Sequence, residues 1–511
     1  MYTALVLDSL IRGDFEKYGP RGTNEHAFTS LGDPPPEFLT GALAESWEVT
    51  PDRIVFHLRQ GVDWYAVGKE HVMESREFIA DDIIWSLLGE GSIEGVHGPM
   101  MTEHGGFVDN FYAEDKYTLV VETSRFDANW PLQFGLNSVI YPHEMGAAGA
   151  ADWNNLVGTG PFVFKEIVQG SQVTFERNPT FWGTATINGV EYPIPFVDEL
   201  IYPAIADESV RVAALRTAKI DVYFNMKVKY EETLAQTNPE LMKKLVFPPD
   251  TAFIALTVHR EPFSIKEVRQ AMQVALDLEA INKALFLKGE FYPGPLMPDL
   301  KAHTPLDELP AETRLLFDYN PGLARQMLAD AGYPEGFKVT AITGDPETLS
   351  LTMASSYWEA IGVELEIKVF EGAVIESMMG SLIEEGVGDF DVVEYGYTNH
   401  SPPFSLMPWY QTSPVPNWEN ASLYNNPYFN ELFMEALETV DPAERDDMFK
   451  ELNLIAIDDM AYICLGGGYW LNYWWPWAKN FYGERSTSLH SGKYVTAAIW
   501  LDPDLKAEMG Y

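Results

Sequence analysis

Cysteine is almost absent from this chain of 511 residues. The single cysteine, Cys464, stands in an apolar context, so no intramolecular disulfide can form. A lone buried thiol of this kind is usually an inert, small hydrophobic group. The avoidance of cysteine suits an oxidising compartment, although it does not establish one.

Basic residues are also scarce. The 34 Lys and Arg residues face 76 Asp and Glu residues, which gives a formal net charge of −42 at pH 7. A charge of this size repels nucleic acid and anionic membrane surfaces, and it therefore argues against both as partners. The composition predicts a strongly solvated surface, and it leaves open the capture of a cationic solute.

One run without charged residues, Met460–Ala478, is long enough to be considered as a membrane span. Its length approaches that of a membrane span. However, the run contains Gly466–Gly468, Asn472 and Pro476, and it is rich in Tyr and Trp rather than Leu and Ile. We therefore predict a buried strand around Ala461–Leu465 followed by an aromatic loop.

The sequence lacks the motifs of common catalytic sites. It has no Gly-x-Ser-x-Gly elbow, no phosphate-binding loop and no His-Glu-x-x-His pair. The ten histidines show no tight pairing, and His97 and His104 lie seven residues apart in a glycine-rich loop, where a metal site would need oxygen or nitrogen ligands from elsewhere. Because the chain has 76 Asp and Glu residues, the occurrence of two carboxylates near each other does not identify a catalytic acid and base. The sequence predicts no catalytic residue, no metal site and no cofactor.

Strand and helix signals alternate along the chain, which favours an α/β architecture with two to four domains. Helical spacing of apolar residues covers Ile265–Leu287. Another helix is predicted at Pro321–Ala331, with Asn320 as its cap and Gly332 as its stop. Further strands are predicted at Ile54–Leu58, Lys116–Glu122, Gln172–Glu176, Gly336–Thr340 and Val363–Val369. Further helices are predicted at Asp81–Leu88, Asn430–Thr439 and Pro442–Asp458.

Five groups of short segments follow one another in a recognisable order. The most specific is Gly158-Thr159-Gly160-Pro161-Phe162, which continues to Asn178-Pro179 and Phe181-Trp182-Gly183. The others are Ala42–Trp47 with Phe56–Val62 and Phe78–Asp82, Ala213–Arg216 with Ile220–Val222, Pro262-Phe263 with Val268–Ala271 and Ala275–Asp277, and Tyr319–Pro321 with Ala331–Pro334. We expect most of these residues to define the fold rather than to contact a ligand.

Together these segments resemble the family 5 extracellular solute-binding proteins, the dipeptide, oligopeptide and nickel type that serve bacterial ABC importers. The resemblance covers roughly residues 40 to 480. It implies an α/β fold of the type II periplasmic-binding-protein kind, a two-lobed clamshell with mixed sheets and an inserted subdomain in lobe one. The implied divisions are 1–44 (lobe I, first part), 45–156 (inserted subdomain), 157–250 (lobe I, second part), 251–468 (lobe II) and 469–511 (return to lobe I).

The start of the chain has no basic region, no apolar core and no cleavage site of a secretory signal. Against the family, Met1–Leu10 corresponds to the helix and turn after the first strand. We expect that a signal peptide and the opening strand are missing from this sequence. A cytoplasmic protein that never had a signal is the alternative.

The resemblance places the ligand-facing segment at Asp389–Trp418. Peptide-binding members carry a Tyr-Gly-Trp-like start there, followed by an Asp that receives the α-ammonium group of the peptide. This chain has Tyr395-Gly396-Tyr397, but no carboxylate stands at the position of that Asp. The predicted ligand-binding residues are Tyr395, Tyr397, Asn399, His400, Trp409 and Trp418.

Other aromatic residues are candidates for the walls of the same site, because aromatic faces stack on sugars and hold apolar side chains. For each of them, packing in a core is the other interpretation. They are Tyr410 and Tyr424, and a second cluster where the chain should recross between lobes, namely Tyr469, Trp470, Tyr473, Trp474, Trp475 and Trp477.

These observations predict a non-enzymatic, extracytoplasmic solute-binding component of an ABC importer. It is expected to capture an oligopeptide-like solute by hinge closure and to deliver it, as a monomer, to membrane permease subunits. An oligosaccharide is the second solute class, and nickel or a metal chelate the third. The competing classes are a carbohydrate-active enzyme with an aromatic cleft and an extracellular scaffold without a small ligand.

Overall fold

The computed structural model describes residues 2–29, 32–88, 107–136, 138–246, 250–298, 300–344, 348–386, 388–398, 403, 410, 420–488 and 491–511. Two compact units make up the chain: unit 1 consists of Met1–Val246 and Trp470–Tyr511, and unit 2 of Phe247–Tyr469. The finer division of unit 1, with a separate subdomain at 45–156, stays a prediction.

The strands of the described residues are β1 (Ile11–Gly13), β2 (Leu39–Gly41), β3 (Ala44–Thr50), β4 (Arg53–Leu58), β5 (Asp63–Trp64), β6 (Arg76–Glu77), β7 (Val108–Asp115), β8 (Thr118–Thr123), β9 (Phe162–Val168), β10 (Gln172–Arg177), β11 (Thr184–Ile187), β12 (Val190–Pro193), β13 (Glu199–Pro203), β14 (Val222–Lys227), β15 (Met242–Val246), β16 (Asp250–Leu256), β17 (Gly289–Glu290), β18 (Phe337–Thr343), β19 (Val363–Val369), β20 (Val392–Thr398), β21 (Tyr462–Gly468), β22 (Trp470–Trp474), β23 (Ala478–Lys479) and β24 (Trp500–Leu501).

The α-helices are α1 (Ala80–Leu88), α2 (His143–Ala148), α3 (Glu208–Arg216), α4 (Glu231–Thr237), α5 (Lys266–Val274), α6 (Leu278–Phe286), α7 (Ala311–Arg314), α8 (Pro321–Asp330), α9 (Leu349–Glu359), α10 (Gly372–Glu385), α11 (Pro427–Glu438), α12 (Pro442–Asp459), α13 (Lys493–Ala497) and α14 (Pro503–Glu508). No helix in the described ranges has both the length and the apolar character needed to cross a bilayer.

Unit 1 contains several small sheets rather than one large one. A four-stranded sheet has the order β3-β4-β8-β7, and two three-stranded sheets have the orders β13-β10-β9 and β14-β22-β15. Strand β22 comes from the end of the chain and pairs antiparallel with both β14 and β15. The C-terminal segment is therefore hydrogen-bonded into unit 1.

The Gly-Thr-Gly segment of unit 1 makes a close backbone approach to the start of the chain. A Cβ atom on Gly158 would lie 2.0 Å from the carbonyl oxygen of Val6, and one on Gly160 would lie 2.6 Å from it. Only glycine tolerates such an approach. The Asn178 side chain donates to the Gly160 carbonyl at 2.8 Å and accepts from the Thr180 amide at 3.0 Å. The prediction that these residues define the fold is confirmed.

Unit 2 is built on a six-stranded mixed sheet with the order β17-β21-β16-β20-β18-β19. Strand β18 runs parallel to β19 and β20, whereas β16 runs antiparallel to β20 and β21. One large apolar core covers this sheet and includes Met272, Leu351 and Trp358. Cys464 is buried beside it on β21, and burial raises the pKa of its thiol to about 11, as expected for an inert cysteine.

Two sequence predictions need correction, one in unit 2 and one where the chain returns to unit 1. The helical spacing of Ile265–Leu287 is divided between α5 and α6, because Asp277 caps a new helix by accepting from the Ala280 amide at 3.0 Å. The aromatic run after β21 forms strand β22 rather than a loop. By contrast, Asn320 caps α8 as predicted, and Gly332 follows it with φ +98°.

A buried ion pair lies at the centre of unit 1. Lys493 and Asp8 are 1% and 0% exposed, with Nζ 3.1 Å from Asp8 Oδ1. Asp8 also accepts from the Tyr494 hydroxyl at 2.5 Å and from the Trp182 indole at 3.3 Å, while Lys493 donates to the Leu7 carbonyl at 2.8 Å. Burial lowers the pKa of Lys493, and the nearby Asp8 carboxylate opposes that shift.

His26 makes the stability of unit 1 depend on pH. Its ring packs on Phe28 and Phe38 with centroid distances of 4.6 and 5.3 Å, and burial lowers its pKa from 6.5 to about 4. The unfolded chain therefore takes up this proton first as the pH falls. We expect the free energy of unfolding to decrease by up to about 3 kcal/mol between pH 6.5 and pH 4 through this residue.

The His26→Phe variant isolates that contribution, because it keeps the aromatic packing and removes the titrating group. Urea unfolding of the wild-type protein and the variant at pH 7 and pH 4 gives the difference in their free energies of unfolding. The carboxylates titrate equally in both proteins, so their contribution cancels in that difference. If the difference in free energy of unfolding between the wild-type protein and the variant is the same at both pH values, the prediction is wrong.

Candidate ligand-binding site

The predicted ligand segment begins on β20 in unit 2. The backbones of Tyr395 and Tyr397 lie in this strand, where they pair with Phe253 and Thr251 of β16. The side chains of both tyrosines lie outside what the structure describes. The whole of Asn399, His400, Trp409 and Trp418 also lies outside the described residues.

Strand β18 ends at one edge of the unit 2 sheet, beside the third residue of its parallel neighbour β20. The two strands are parallel, with Ala341 opposite Val392 and Ile342 opposite Val393. The next residues along each strand are Thr343 and Glu394. In open α/β sheets, ligands bind outside the carboxyl ends of parallel strands. This edge is therefore the part of unit 2 where a ligand is expected.

Glu394 carries a carboxylate at this edge, and three hydroxyl groups hold it in place. Thr343 donates to Oε2 at 2.6 Å, Thr348 donates to Oε1 at 2.8 Å, and Ser350 also donates to Oε1. Thr348 in turn caps helix α9 by accepting from the Leu351 amide at 3.3 Å. The carboxylate is thus fixed both by a strand and by a helix start.

Sequence reasoning missed Glu394. It searched for an acidic residue after Tyr397 and found none, whereas Glu394 comes immediately before Tyr395. The available signal was a charged residue directly after Val392 and Val393, which are both fully buried. A carboxylate has about four lone-pair positions, and the described hydroxyls occupy three of them. Glu394 therefore has the capacity to accept one more donor.

Tyr410 and Tyr424 are both buried. They are 3% and 4% exposed, and they pack with Phe429 and Tyr462 in an aromatic cluster of unit 2. Burial raises the pKa of the Tyr410 hydroxyl well above its ordinary value. The wall interpretation is therefore wrong for Tyr410, whose ring is enclosed by protein, whereas Tyr424 packs in this cluster and also lines a cavity of unit 2.

The second aromatic cluster also packs largely inside a core. Trp475 and Trp477 stack with 4.5 Å between ring centroids, and both are fully buried in unit 1. Their indole groups donate to the Leu215 carbonyl at 2.9 Å and to Asp221 at 2.7 Å. Tyr473 and Trp474 are buried as well, while Tyr469 and Trp470 are partly exposed. The wall interpretation is wrong for the four buried members.

A cavity of about 540 Å³ in unit 2 has a polar lining that includes Arg269, Tyr424 and Asp459. Asp459 accepts from Tyr424 and from Asn426, and it lies 3.0 Å from Lys266 Nζ. Burial alone raises the pKa of Asp459, but these donors outweigh burial and lower it. Since its polar groups bind one another, we do not assign the solute to this cavity.

Metal chelation finds no support in the described part of the chain. Within those ranges, no group of three or more His, Cys, Asp or Glu side chains is placed to hold a metal ion. His97, His104 and His400 lie outside the described residues.

Comparison with known proteins gives one consistent result. Residues 39–417 match the profile of the bacterial extracellular solute-binding proteins, family 5 Middle. Heme-binding protein A of Haemophilus influenzae is 26% identical over 453 residues, which is 83% of this chain and 78% of that protein. Di/tripeptide-binding protein 1 of Pseudomonas aeruginosa is 26% identical over 442 residues, which is 80% of this chain and 77% of that protein.

The solved structures agree on the fold. The periplasmic binding protein DppA of Helicobacter pylori, in complex with the peptide STSA, superimposes with a TM-score of 0.76 at 20% identity and covers 98% of this chain and 93% of its own. The predicted fold class is thereby confirmed. The chain belongs to the bacterial extracellular solute-binding proteins of family 5, the extracytoplasmic and non-enzymatic substrate-binding components of ABC importers.

Proposed function

We propose that this protein captures an oligopeptide-like solute and delivers it unaltered, as a monomer, to the permease subunits of an ABC importer. The observation that carries the peptide assignment is the fixed Glu394 carboxylate beside the carboxyl end of β18. A relative named for di- and tripeptides and a structural neighbour solved with the peptide STSA support the same solute class.

A carboxylate at this edge suits the α-ammonium group of a peptide. Charge-assisted hydrogen bonds to ammonium groups are among the stronger contacts that a desolvated site offers. The family's Asp is missing after Tyr397, and Glu394 supplies a negative charge three residues earlier. Because Thr343, Thr348 and Ser350 orient Glu394 before any ligand arrives, little ordering is required on binding.

The remaining contacts are proposed to come from the predicted segment. Tyr395, Tyr397, Trp409 and Trp418 would provide aromatic surface for side chains, and Asn399 and His400 polar contacts to the peptide backbone. To shift the protein from a mostly open to a mostly closed form, the solute would have to bind the closed form more tightly than the open form by roughly 5 kcal/mol. Several aromatic contacts and one ammonium–carboxylate contact are enough for that difference.

A thermal-shift panel tests the solute class. Tripeptides, hemin and oligosaccharides are each added to the purified protein in constant buffer and salt. We expect peptides with a free amino terminus to stabilise it, by about 2.7 kcal/mol when the peptide is at one hundred times its dissociation constant. Stabilisation by hemin or an oligosaccharide, with none by any peptide, would overturn the peptide assignment.

A further inference from the structure

Unit 1 encloses a second polar cavity, of about 280 Å³, that has no part in the proposed peptide contacts. Its lining includes Arg12, Glu16, Thr40, Arg59, Trp182 and Tyr494. These residues are far apart in the sequence, and strands β1 and β2 bring the first of them together. Two arginines in one small cavity are notable in a chain that carries a net charge of −42.

Arg12 has donors that the described residues do not use. Its guanidinium carbon lies 4.7 Å from the ring centroid of Tyr494 and 5.5 Å from that of Phe15. Among the described residues, its buried Nε has no hydrogen-bond partner, and Nη1 reaches the Gly13 carbonyl only at 3.5 Å. Stacking on aromatic rings holds the guanidinium plane and leaves its edge for an acceptor.

Arg59 is held in a similar way. Its guanidinium carbon lies 4.2 Å from the ring centroid of Trp182, and its Nε donates to the Ala42 carbonyl at 3.1 Å. The remaining N–H groups are carried by the outer edge of the guanidinium, which is the edge that binds oxyanions in a bidentate manner. Both arginines therefore combine a fixed plane with donors for an acceptor in the cavity.

Cations and carboxylates are both present around the cavity. Arg12, Arg59 and Lys493 are grouped around Asp8, which is fully buried and already bound to Lys493 and Tyr494. Two carboxyl groups, Glu16 and Glu191, also line the cavity. Burial raises the pKa of Glu16, with Arg12 opposing that rise, and Glu191 accepts from the Thr184 hydroxyl at 2.6 Å. The unused N–H groups of the arginines, rather than an excess of positive charge, are therefore what an acceptor in the cavity would satisfy.

We propose that this cavity binds an oxyanion, a phosphate, sulfate or carboxylate group, between Arg12 and Arg59. The hydroxyl group of Thr40, which also lines the cavity, is an additional donor. The site lies entirely within unit 1, and it is independent of Glu394 and of the peptide proposal.

Calorimetric titration tests this site. The wild-type protein at pH 7 is titrated with sodium phosphate, sodium sulfate or sodium acetate, with sodium chloride keeping the ionic strength constant. We expect saturable binding of at least one oxyanion. Phosphate or sulfate binding without acetate binding indicates an inorganic ion, whereas acetate binding indicates the carboxylate of an organic molecule. Absence of saturable binding by all three salts would overturn the proposal.

Two variants locate the site. Arg12→Gln is expected to weaken oxyanion binding by about tenfold or more, because it removes charge-assisted donors. Arg177→Gln is the matched control, since Arg177 forms an exposed ion pair with Asp198 on unit 1. Equal weakening by the two variants would mean a general charge effect and would overturn the proposal.

Glu16→Gln gives a test that does not depend on the folding of the Arg12 variant. Removing a carboxyl group from the cavity lining is expected to strengthen oxyanion binding several-fold, by roughly the effect of one nearby like charge. Unchanged or weaker binding in this variant would contradict an oxyanion in this cavity.

Discussion

Replacing Lys493 with methionine is expected to lower the free energy of unfolding by about 3–5 kcal/mol. The substitution keeps an unbranched side chain of similar length and removes the charge together with the N–H donors. Asp8 is 0% exposed, so its carboxylate would remain buried with no ammonium partner. The Leu7 carbonyl would lose its donor as well. A buried charge without a partner is among the few single changes that cost this much.

Urea unfolding followed by tryptophan fluorescence measures this effect. Lys506→Met is the matched control, because Lys506 pairs with Asp221 at 3.3 Å where both side chains are about one-third exposed. Such a pair contributes less than about 1 kcal/mol. The double variant Asp8→Asn with Lys493→Met is expected to recover part of the loss, since no charge is left unpaired. If Lys493→Met lowers the free energy of unfolding no more than Lys506→Met does, the buried ion pair does not make the predicted contribution to stability.

The second large effect is expected at Glu394. Glu394→Gln keeps the size of the side chain and removes the negative charge, so a peptide with a free amino terminus should bind about thirtyfold more weakly, equivalent to about 2 kcal/mol. The three hydroxyl donors can still reach the amide oxygen or rotate to accept from the amide nitrogen. The change should therefore affect binding far more than folding.

An N-acetylated peptide is the sharpest control for that prediction. It lacks the ammonium group, so its affinity should be nearly the same for the wild-type protein and for Glu394→Gln in calorimetric titrations. Glu366→Gln is the control for net charge, because Glu366 is exposed on strand β19. If the free and the acetylated peptide lose equal affinity in Glu394→Gln, the ammonium contact is wrong.

Most of the helices and strands that were predicted lie close to where local sequence patterns placed them, because such patterns act over a few residues. Asn320 and Pro321 start α8 as expected, and apolar strands such as Ile54–Leu58 lie where they were predicted. The error at Ile265–Leu287 has a local cause. Helical spacing continues across Asp277, and only the cap contact of its side chain with the Ala280 amide shows that a new helix begins.

The candidate site could be predicted only in part. The resemblance identified β20 as the relevant strand, but Glu394 gains its role from Thr343, Thr348 and Ser350, which lie 44 to 51 residues earlier in the chain. Aromatic composition could not separate walls from cores, because it carries no information on the direction in which a ring points. Tyr410, Tyr424, Trp475 and Trp477 proved to be core residues for this reason.

Native mass spectrometry of the protein with a stabilising peptide tests the central claim most directly. The account predicts one intact peptide bound per monomer, and release of the same peptide with unchanged mass after denaturation. Cleaved or modified peptide, or a complex that never forms with any free-amino-terminal peptide, would contradict it.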